Sequence, residues 1–101
     1  MGKYVIKQPN GLYCYYADSL HQIWAYNMNL EQLIEYNAQT WKKTLSEAKE
    51  DVLWCLEDPL YTFEGMLEDW VWHDQEIEEQ MSADPEIVKP CYNAQYKERP
   101  F

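Results

Sequence analysis

Histidine and carboxylate side chains lie close together at one place in this chain. His73 and Asp74 are followed by Glu76, and these residue types can bind a metal ion or form an acid–base pair. Their spacing matches neither the helical zinc motif HExxH nor a calcium loop with its central glycine. A surface histidine is therefore the better interpretation, and we predict no metal site.

The cysteines offer no clearer chemistry. Cys14, Cys55 and Cys91 are far apart and form neither a CxxC pair nor a Cys/His metal pattern. Cys14 or Cys55 would be a nucleophile only if the fold brought a histidine such as His21 beside it, and Cys55 falls on a stripe predicted to be buried. The sequence therefore predicts reduced thiols, no catalytic residue and no enzyme.

Phosphate-binding and targeting motifs are missing as well. The chain has three glycines and neither GxxxxGK[ST] nor GxGxxG, so we expect no phosphate-binding loop and no cofactor. It has no charged-then-apolar leader and no apolar run of about 18 residues. These patterns predict a cytoplasmic protein without a membrane span.

The charges are unevenly distributed along the 101 residues. Residues 1–49 carry +1 and residues 89–101 carry +2, whereas residues 50–88 contain thirteen Asp or Glu and no Lys or Arg. The three segments, +1, −13 and +2, sum to the net charge of −10. Because affinity for nucleic-acid backbones comes mainly from Lys and Arg, we predict no direct binding of DNA or RNA. A partner with a basic surface is favoured instead.

The elements that must position these residues begin with strands. Residues 3–7 and 12–16 are β-rich runs separated by Gln8-Pro9-Asn10-Gly11, in which proline presets φ and Asn-Gly tolerates a positive φ. Residues 21–26 form a candidate third strand, since an isolated hairpin is only marginally stable. Residues 1–27 therefore predict a β-hairpin or a three-stranded meander.

A helix is predicted over residues 29–57. Asn29 is a suitable N-cap, Gln32 completes a capping box, and Met28 and Leu33 occupy the positions of a hydrophobic staple. Apolar residues recur at intervals of mostly three or four and predict one buried stripe, composed of Leu30, Leu33, Ile34, Trp41, Leu45, Ala48, Val52, Cys55 and Leu56. The Asp58-Pro59 pair ends this helix.

A second helix, the most acidic part of the chain, is predicted over residues 59–82. Asp58-Pro59 supplies its N-cap and first-turn proline. Its apolar stripe comprises Leu60, Phe63, Leu67, Trp70, Ile77 and Met81. Residues 83–101 predict an extended tail whose Tyr92 and Tyr96 can pack on the body. The expected fold is a single α+β domain over residues 1–101, with a two- or three-stranded antiparallel meander followed by two helices.

One face of the second helix predicts a partner-binding ridge. The predicted ridge consists of Glu64, Glu68, Trp72, Glu76 and Glu79. Successive members are four, four, four and three residues apart, which places them along one side of a helix. Asp69 is assigned to the same surface. Like charges at these spacings cost about 0.2–0.5 kcal/mol per pair, and Glu78 and Glu79 would lie near a helix C-terminus, where the dipole prefers cations. The alternative interpretation is a solvated acidic face that keeps the protein soluble.

Two tryptophans in this helix cannot both face one core. Trp70 and Trp72 are two residues apart and therefore about 200° apart around a helix. One indole is expected on an outer surface, where it would serve as a contact anchor.

The opening residues resemble those of a group of small proteins. Lys3-Tyr4-Val5-Ile6-Lys7-Gln8-Pro9-Asn10-Gly11, followed by Leu12-Tyr13-Cys14, looks like the start of small uncharacterised proteins of bacteriophages and mobile elements. In general character the chain is similar to phage anti-CRISPR and other anti-defence inhibitors. That resemblance implies an inhibitor in the host cytoplasm whose acidic ridge imitates a nucleic-acid backbone and blocks a basic, nucleic-acid-binding host protein.

Two alternatives stay open at this point. Tyr13, Tyr15 or Trp24 on the hairpin could stack a base or another ring, which would make the chain a sequestering protein for a small signalling ligand with a concave aromatic pocket. A structural phage protein that forms homo-oligomers through Trp70 or Trp72 is the other alternative.

Overall fold

Four antiparallel strands form the centre of the molecule in a computed structural model that describes residues 5–95. The strands are β1 (Val5–Lys7), β2 (Tyr13–Ala17), β3 (Gln22–Met28) and β4 (Cys91–Tyr92), and they lie side by side in that order. Between β3 and β4 the chain forms α1 (Leu30–Trp41), α2 (Leu45–Glu57), α3 (Phe63–Asp69) and α4 (Gln75–Met81). The α+β class is confirmed.

The predicted turn joins β1 to β2. The Gly11 amide donates to the Gln8 carbonyl at 3.0 Å, and the Gln8 amide donates to the Leu12 carbonyl at 2.8 Å. Gly11 has a φ of 89°, which residues with a side chain rarely adopt. The result is a three-residue hairpin loop.

Helices cover the sheet on both faces and bury two separate cores. The first core, with α1 and α2, contains Val5, Tyr15, Ala25, Met28, Leu33, Tyr36, Val52 and Cys55. The second, with α3 and α4, contains Ile6, Cys14, Tyr16, Ile23, Met66, Trp70, Ile77 and Met81. Neighbouring residues of one strand therefore supply opposite cores, as Tyr15 and Tyr16 do, which explains why β2 is apolar without alternation.

The single helix predicted over residues 29–57 is two helices. The capping box of Asn29 and Gln32 starts α1 as predicted, but Lys42 adopts a left-handed conformation (φ 53°) and ends it. Thr44 then caps α2 in a second capping box with Glu47. The predicted stripe is interrupted accordingly, since Leu30, Trp41 and Leu45 are exposed.

The second predicted helix, over residues 59–82, is also two helices. Asp58 caps the end of α2, but α3 begins only after Thr62, whose side chain accepts from the Gly65 amide. Residues 70–74 interrupt the helix, and Asp74 caps α4. Leu60, which was assigned to the buried stripe, is exposed. Each interruption coincides with a capping side chain, because such side chains satisfy the amides that a helix start leaves unpaired.

The tail predicted over residues 83–101 is only partly extended. Residues 85–87 form a turn, and β4 adds a fourth strand to the sheet. The Tyr92 ring stacks on Tyr36 with 5.8 Å between centroids, so Tyr92 packs on the body as predicted. The prediction for Tyr96 lies outside the described residues.

A buried network of side-chain amides joins the hairpin to the end of α4. Asn27 Nδ2 donates to the Gln80 carbonyl at 3.1 Å, and Asn10 Nδ2 donates to the Ala83 carbonyl at 2.9 Å. Gln8 Nε2 donates to Asn27 Oδ1 at 2.8 Å, and Gln8 Oε1 accepts from the Asn27 amide at 2.8 Å. The last carbonyls of a helix have no partner within it, and here Asn27 of β3 supplies a donor to the Gln80 carbonyl of α4, while Asn10 of the hairpin bonds the Ala83 carbonyl just after the helix.

Asn27 holds a strained backbone conformation within this network. Its φ is 59°, and it lies where β3 has an extra residue against β2, since Tyr13 pairs with Met28 but Tyr15 pairs with Ala25. A bulge with a left-handed residue bends the strand. The amide network stabilises this conformation in a residue that is almost completely buried.

We expect Asn27→Ala to lower the free energy of unfolding by about 2–4 kcal/mol, since several buried hydrogen bonds are lost and the backbone strain remains. Asn93→Ala is the matched control, because Asn93 has the same left-handed backbone (φ 56°) but is exposed and outside the network. It should cost only about 1 kcal/mol. Urea denaturation of both variants measures the difference, and equal losses would mean that the network adds nothing.

Candidate functional site

The carboxylates of residues 50–88 lie mostly in solvent. Ten of the thirteen are exposed, and the three that are partly buried are Asp51, Asp69 and Glu78. Each of these three contacts a basic side chain, since Lys43 pairs with Asp51, His21 with Asp69, and His73 with Glu78. The exposed ten lie in a segment without any Lys or Arg to pair with them.

Four of the predicted site residues are exposed on α3 and α4, and we call this set the acidic face: Glu64, Glu68, Glu76 and Glu79. Both α3 and α4 pack on the same face of the sheet, through Met66 and Trp70 and through Ile77 and Met81. Glu64 and Glu68 are each two positions from Met66, and Glu79 is two positions from both Ile77 and Met81. They point away from the sheet, because two positions correspond to about 200° around a helix. The acidic face therefore spans two helices, and the predicted ridge along a single helix was wrong.

Splitting the helix changes the energetics of its carboxylates. Glu64 lies in the first turn of α3, and Glu76 and Glu78 lie in the first turn of α4, where the helix dipole favours negative charge. Because α4 has only seven residues, Glu78 also lies just three residues before its last residue, Met81. Glu68 and Glu79 do lie in last turns, where anions are disfavoured, and neither helix has a basic residue there.

The interruption between α3 and α4 separates the two indoles. Trp70 is 3% exposed and belongs to the second core, whereas Trp72 is 46% exposed. Gln95 holds both residues, because its Oε1 accepts from Trp70 Nε1 at 2.9 Å and its Nε2 donates to the Trp72 carbonyl at 2.6 Å. Trp72 is thus the outer indole, on a backbone fixed to the tail.

Asp69 is partly buried and contacts β2 and the β2–β3 turn. Tyr16 donates its hydroxyl to Asp69 Oδ2 at 2.5 Å, and His21 Nδ1 lies 3.1 Å from the same oxygen. The hydrogen bond from Tyr16, reinforced by bonds from His21 and Tyr61, lowers the pKa of Asp69. Burial, followed by the bond to Asp69, raises the pKa of Tyr16. These contacts anchor the end of α3 to β2 and to the β2–β3 turn, so we leave Asp69 out of the acidic face.

The groups that could do chemistry are kept apart. Cys14 is completely buried, its Sγ lies 3.9 Å from Met66 Sδ, and burial raises the pKa of its thiol, so it stays protonated. His21 contacts Asp69 and His73 contacts Glu78. Within residues 5–95, no group of three or more His, Cys, Asp or Glu is placed to hold a metal ion.

An aromatic cavity lies on the opposite side of the sheet, where α1 meets α2. Its volume is about 290 Å³, and its walls include Tyr15, Trp41 and Trp54. The sequence predicted Tyr15 as a ring that could stack on a ligand, but it did not predict that Trp41 and Trp54 line the same cavity. The signal that could have revealed them is the Thr44-x-x-Glu47 capping box, which starts a new helix between Trp41 and Trp54.

No family model, curated protein or solved structure matches this chain. In the part of the chain that the structure describes, no helix has the length and apolar character needed to cross a membrane.

The anchor at Asp69 predicts a specific pH dependence. The pKa of Asp69 is lowered in the folded state from its ordinary 3.8, so its contribution to stability is present above that value and is lost as the pH falls through the folded pKa. The stability lost in Asp69→Asn, relative to the parent, should be largest near about pH 6 and shrink towards about pH 2.

Chemical denaturation across that pH range measures the effect. Glu68→Gln, which removes the exposed neighbouring carboxylate, is the control for a change in net charge. The same pH profile in both variants would contradict a specific role for Asp69.

Proposed function

We propose that this chain is a non-catalytic inhibitor that binds a basic, nucleic-acid-binding protein of a host cell and blocks its nucleic-acid groove. The observation that carries the proposal is the run of ten exposed carboxylates over residues 50–88 without any Lys or Arg. The resemblance of the opening hairpin to phage proteins supports an anti-defence role.

The orientation of the acidic face supports this function. Its carboxylates are exposed on two helices that cover the same face of the sheet, and the proposal is that one partner contacts both helices. Phosphates of duplex DNA place about one negative charge per 1.7 Å of axis, and a layer of carboxylates competes for the same Lys and Arg side chains. Electrostatic attraction of this kind accelerates association and fails at high salt.

Two carboxylates at unfavourable helix positions also support the proposed function. Glu68 and Glu79 lie in last helical turns, where Lys or Arg would stabilise the helix and where no basic residue is found. Binding to a basic surface explains why carboxylates are kept at such positions. A face used only for solubility would not require them there.

Trp72 is the proposed anchor beside this face. Tryptophans are frequent among the residues that dominate binding energy, because a large ring is desolvated on contact. The hydrogen bond from Gln95 fixes its backbone. A prepositioned anchor reduces the entropy lost on binding.

The acidic face is tested by neutralising it. Glu68→Gln, Glu76→Gln and Glu79→Gln in one chain should weaken partner binding about tenfold or more at low salt and leave the fold intact or slightly more stable, because repulsion is relieved. The tagged protein is used to capture partners from a nuclease-treated bacterial lysate. The captured complexes are washed at about 0.1 M and then at about 1 M salt, because the screening length falls from about 10 Å to about 3 Å between these concentrations.

The matched control carries Glu31→Gln, Glu35→Gln and Glu47→Gln, which change the net charge equally on exposed positions of α1 and α2 outside residues 50–88. Gln at position 47 can keep the capping box with Thr44. It should retain the basic, nucleic-acid-binding partner. Equal loss of binding in both triple variants would show that only net charge matters, and capture of no basic protein by the parent would contradict the proposal.

The anchor is tested by Trp72→Ala. Because the indole is half exposed, we expect a loss of binding of about 2 kcal/mol or more, with a loss of stability below about 1 kcal/mol. Affinity for the captured partner and thermal unfolding are measured on the same preparation. A large fall in Tm with unchanged affinity would assign Trp72 to the core instead.

A further inference from the structure

The cavity between α1 and α2 has fixed walls. Trp41 Nε1 donates to the Tyr15 hydroxyl at 2.7 Å, which holds the indole at the mouth of the cavity. Tyr15 is itself held, since its ring stacks on Trp24 with 5.8 Å between centroids and meets Tyr36 edge to face. Trp54 on α2 completes the aromatic walls. A site with walls held in this way needs little rearrangement to accept a ligand.

The two indoles at this cavity remain half exposed. Trp41 is 47% exposed and Trp54 is 51% exposed, although both border a concave space. Burying apolar surface of this size is favourable at roughly 25 cal/mol per Å². A flat ring gains most from such walls, because aromatic rings prefer offset stacking or edge-to-face contacts.

A polar side chain that is almost completely buried borders the same cavity. Asn37 lines it and is 6% exposed, and its Nδ2 donates to the Ala48 carbonyl at 3.4 Å. Its Oδ1 accepts no hydrogen bond from residues 5–95. Every completely buried side-chain nitrogen or oxygen in this range has a partner, so an Asn37 Oδ1 without one is not completely buried, and Asn37 borders the cavity. A ligand that donates a hydrogen bond would satisfy it.

The rim and the overall charge narrow the chemistry further. Lys43 and Asp51 form an ion pair at the cavity and offer a donor and an acceptor to the edge of a ligand. The net charge of −10 repels anions, so a phosphorylated ligand is disfavoured. A volume of about 290 Å³ lies at the lower end of ligand pockets, which suits one or two fused rings.

We propose that this cavity binds a small, uncharged heteroaromatic compound of nucleobase size, with its ring against Trp41 and Trp54 and a ring N–H donating to Asn37 Oδ1. The site is separate from the acidic face, on the other side of the sheet. It does not depend on the proposed inhibitory function.

The probes are theophylline and caffeine, two neutral purines that differ by one methyl group. Theophylline carries an N–H at N7, and caffeine has no N–H. We expect theophylline to bind with a dissociation constant between about 10 μM and about 1 mM, and caffeine to bind about tenfold more weakly. Isothermal titration calorimetry gives the affinities, and shifts of the indole N–H signals in NMR report the location.

Trp54→Ala should weaken theophylline binding about tenfold or more. Leu53→Ala is the matched control, because Leu53 is a similarly exposed apolar residue of the same helix that does not line the cavity, and it should bind like the parent. Circular dichroism confirms that both variants are folded.

Several outcomes would overturn the proposal. The proposal is wrong if theophylline does not bind at about 10 mM. It is also wrong if Trp54→Ala leaves the affinity for theophylline unchanged. Equal affinities for caffeine and theophylline would show that no ring N–H donates to Asn37 Oδ1. A dimer that buries Trp54 at micromolar concentration would make a second copy of the chain the occupant instead.

Discussion

The amide network of Gln8, Asn10 and Asn27 is the constraint on which the arrangement of the molecule depends. It supplies donors to the Gln80 carbonyl in the last turn of α4 and to the Ala83 carbonyl just after that helix, and it holds Asn27 in a left-handed bulge of β3. The bulge bends the central strand, and the bonds to Gln80 and Ala83 place the end of α4 against the hairpin. Because amides do not titrate, this link is independent of pH, unlike the contact between Asp69 and His21 at the end of α3.

Covering the sheet on both faces gives the protein two surfaces of different chemistry. The α3–α4 layer presents carboxylates and Trp72, and the α1–α2 layer encloses an aromatic cavity with a neutral amide and an ion pair. The strands β1, β2 and β3 each contribute to both cores, as Tyr15 and Tyr16 of β2 do, so the two layers share a framework but no site residue. The acidic face suits a large basic partner and the cavity suits a small uncharged ring. Substitutions on one side can therefore be tested without altering the other.

The short helices explain much of the local sequence. Capping boxes at Asn29 and Thr44, and capping side chains at Thr62 and Asp74, divide what periodicity alone joined into two long helices. The periodicity was correct for residues such as Val52, Cys55, Ile77 and Met81, which are buried as predicted. It failed near the interruptions, where Trp41, Leu45 and Leu60 leave the core, because the direction of a side chain depends on which helix carries it.

By itself the sequence determined the class of the fold, the hairpin turn at Pro9-Asn10-Gly11, the start of α1 and the concentration of negative charge in residues 50–88. These are local properties, set by φ preferences, capping groups and residue counts. Only the tertiary structure decided that Trp72 rather than Trp70 is the outer indole, that Asp69 is a structural anchor, and that Trp41, Trp54 and Asn37 meet around one cavity. Such contacts join residues far apart in the chain, and their geometry follows from how the helices pack on the sheet, which no local pattern specifies.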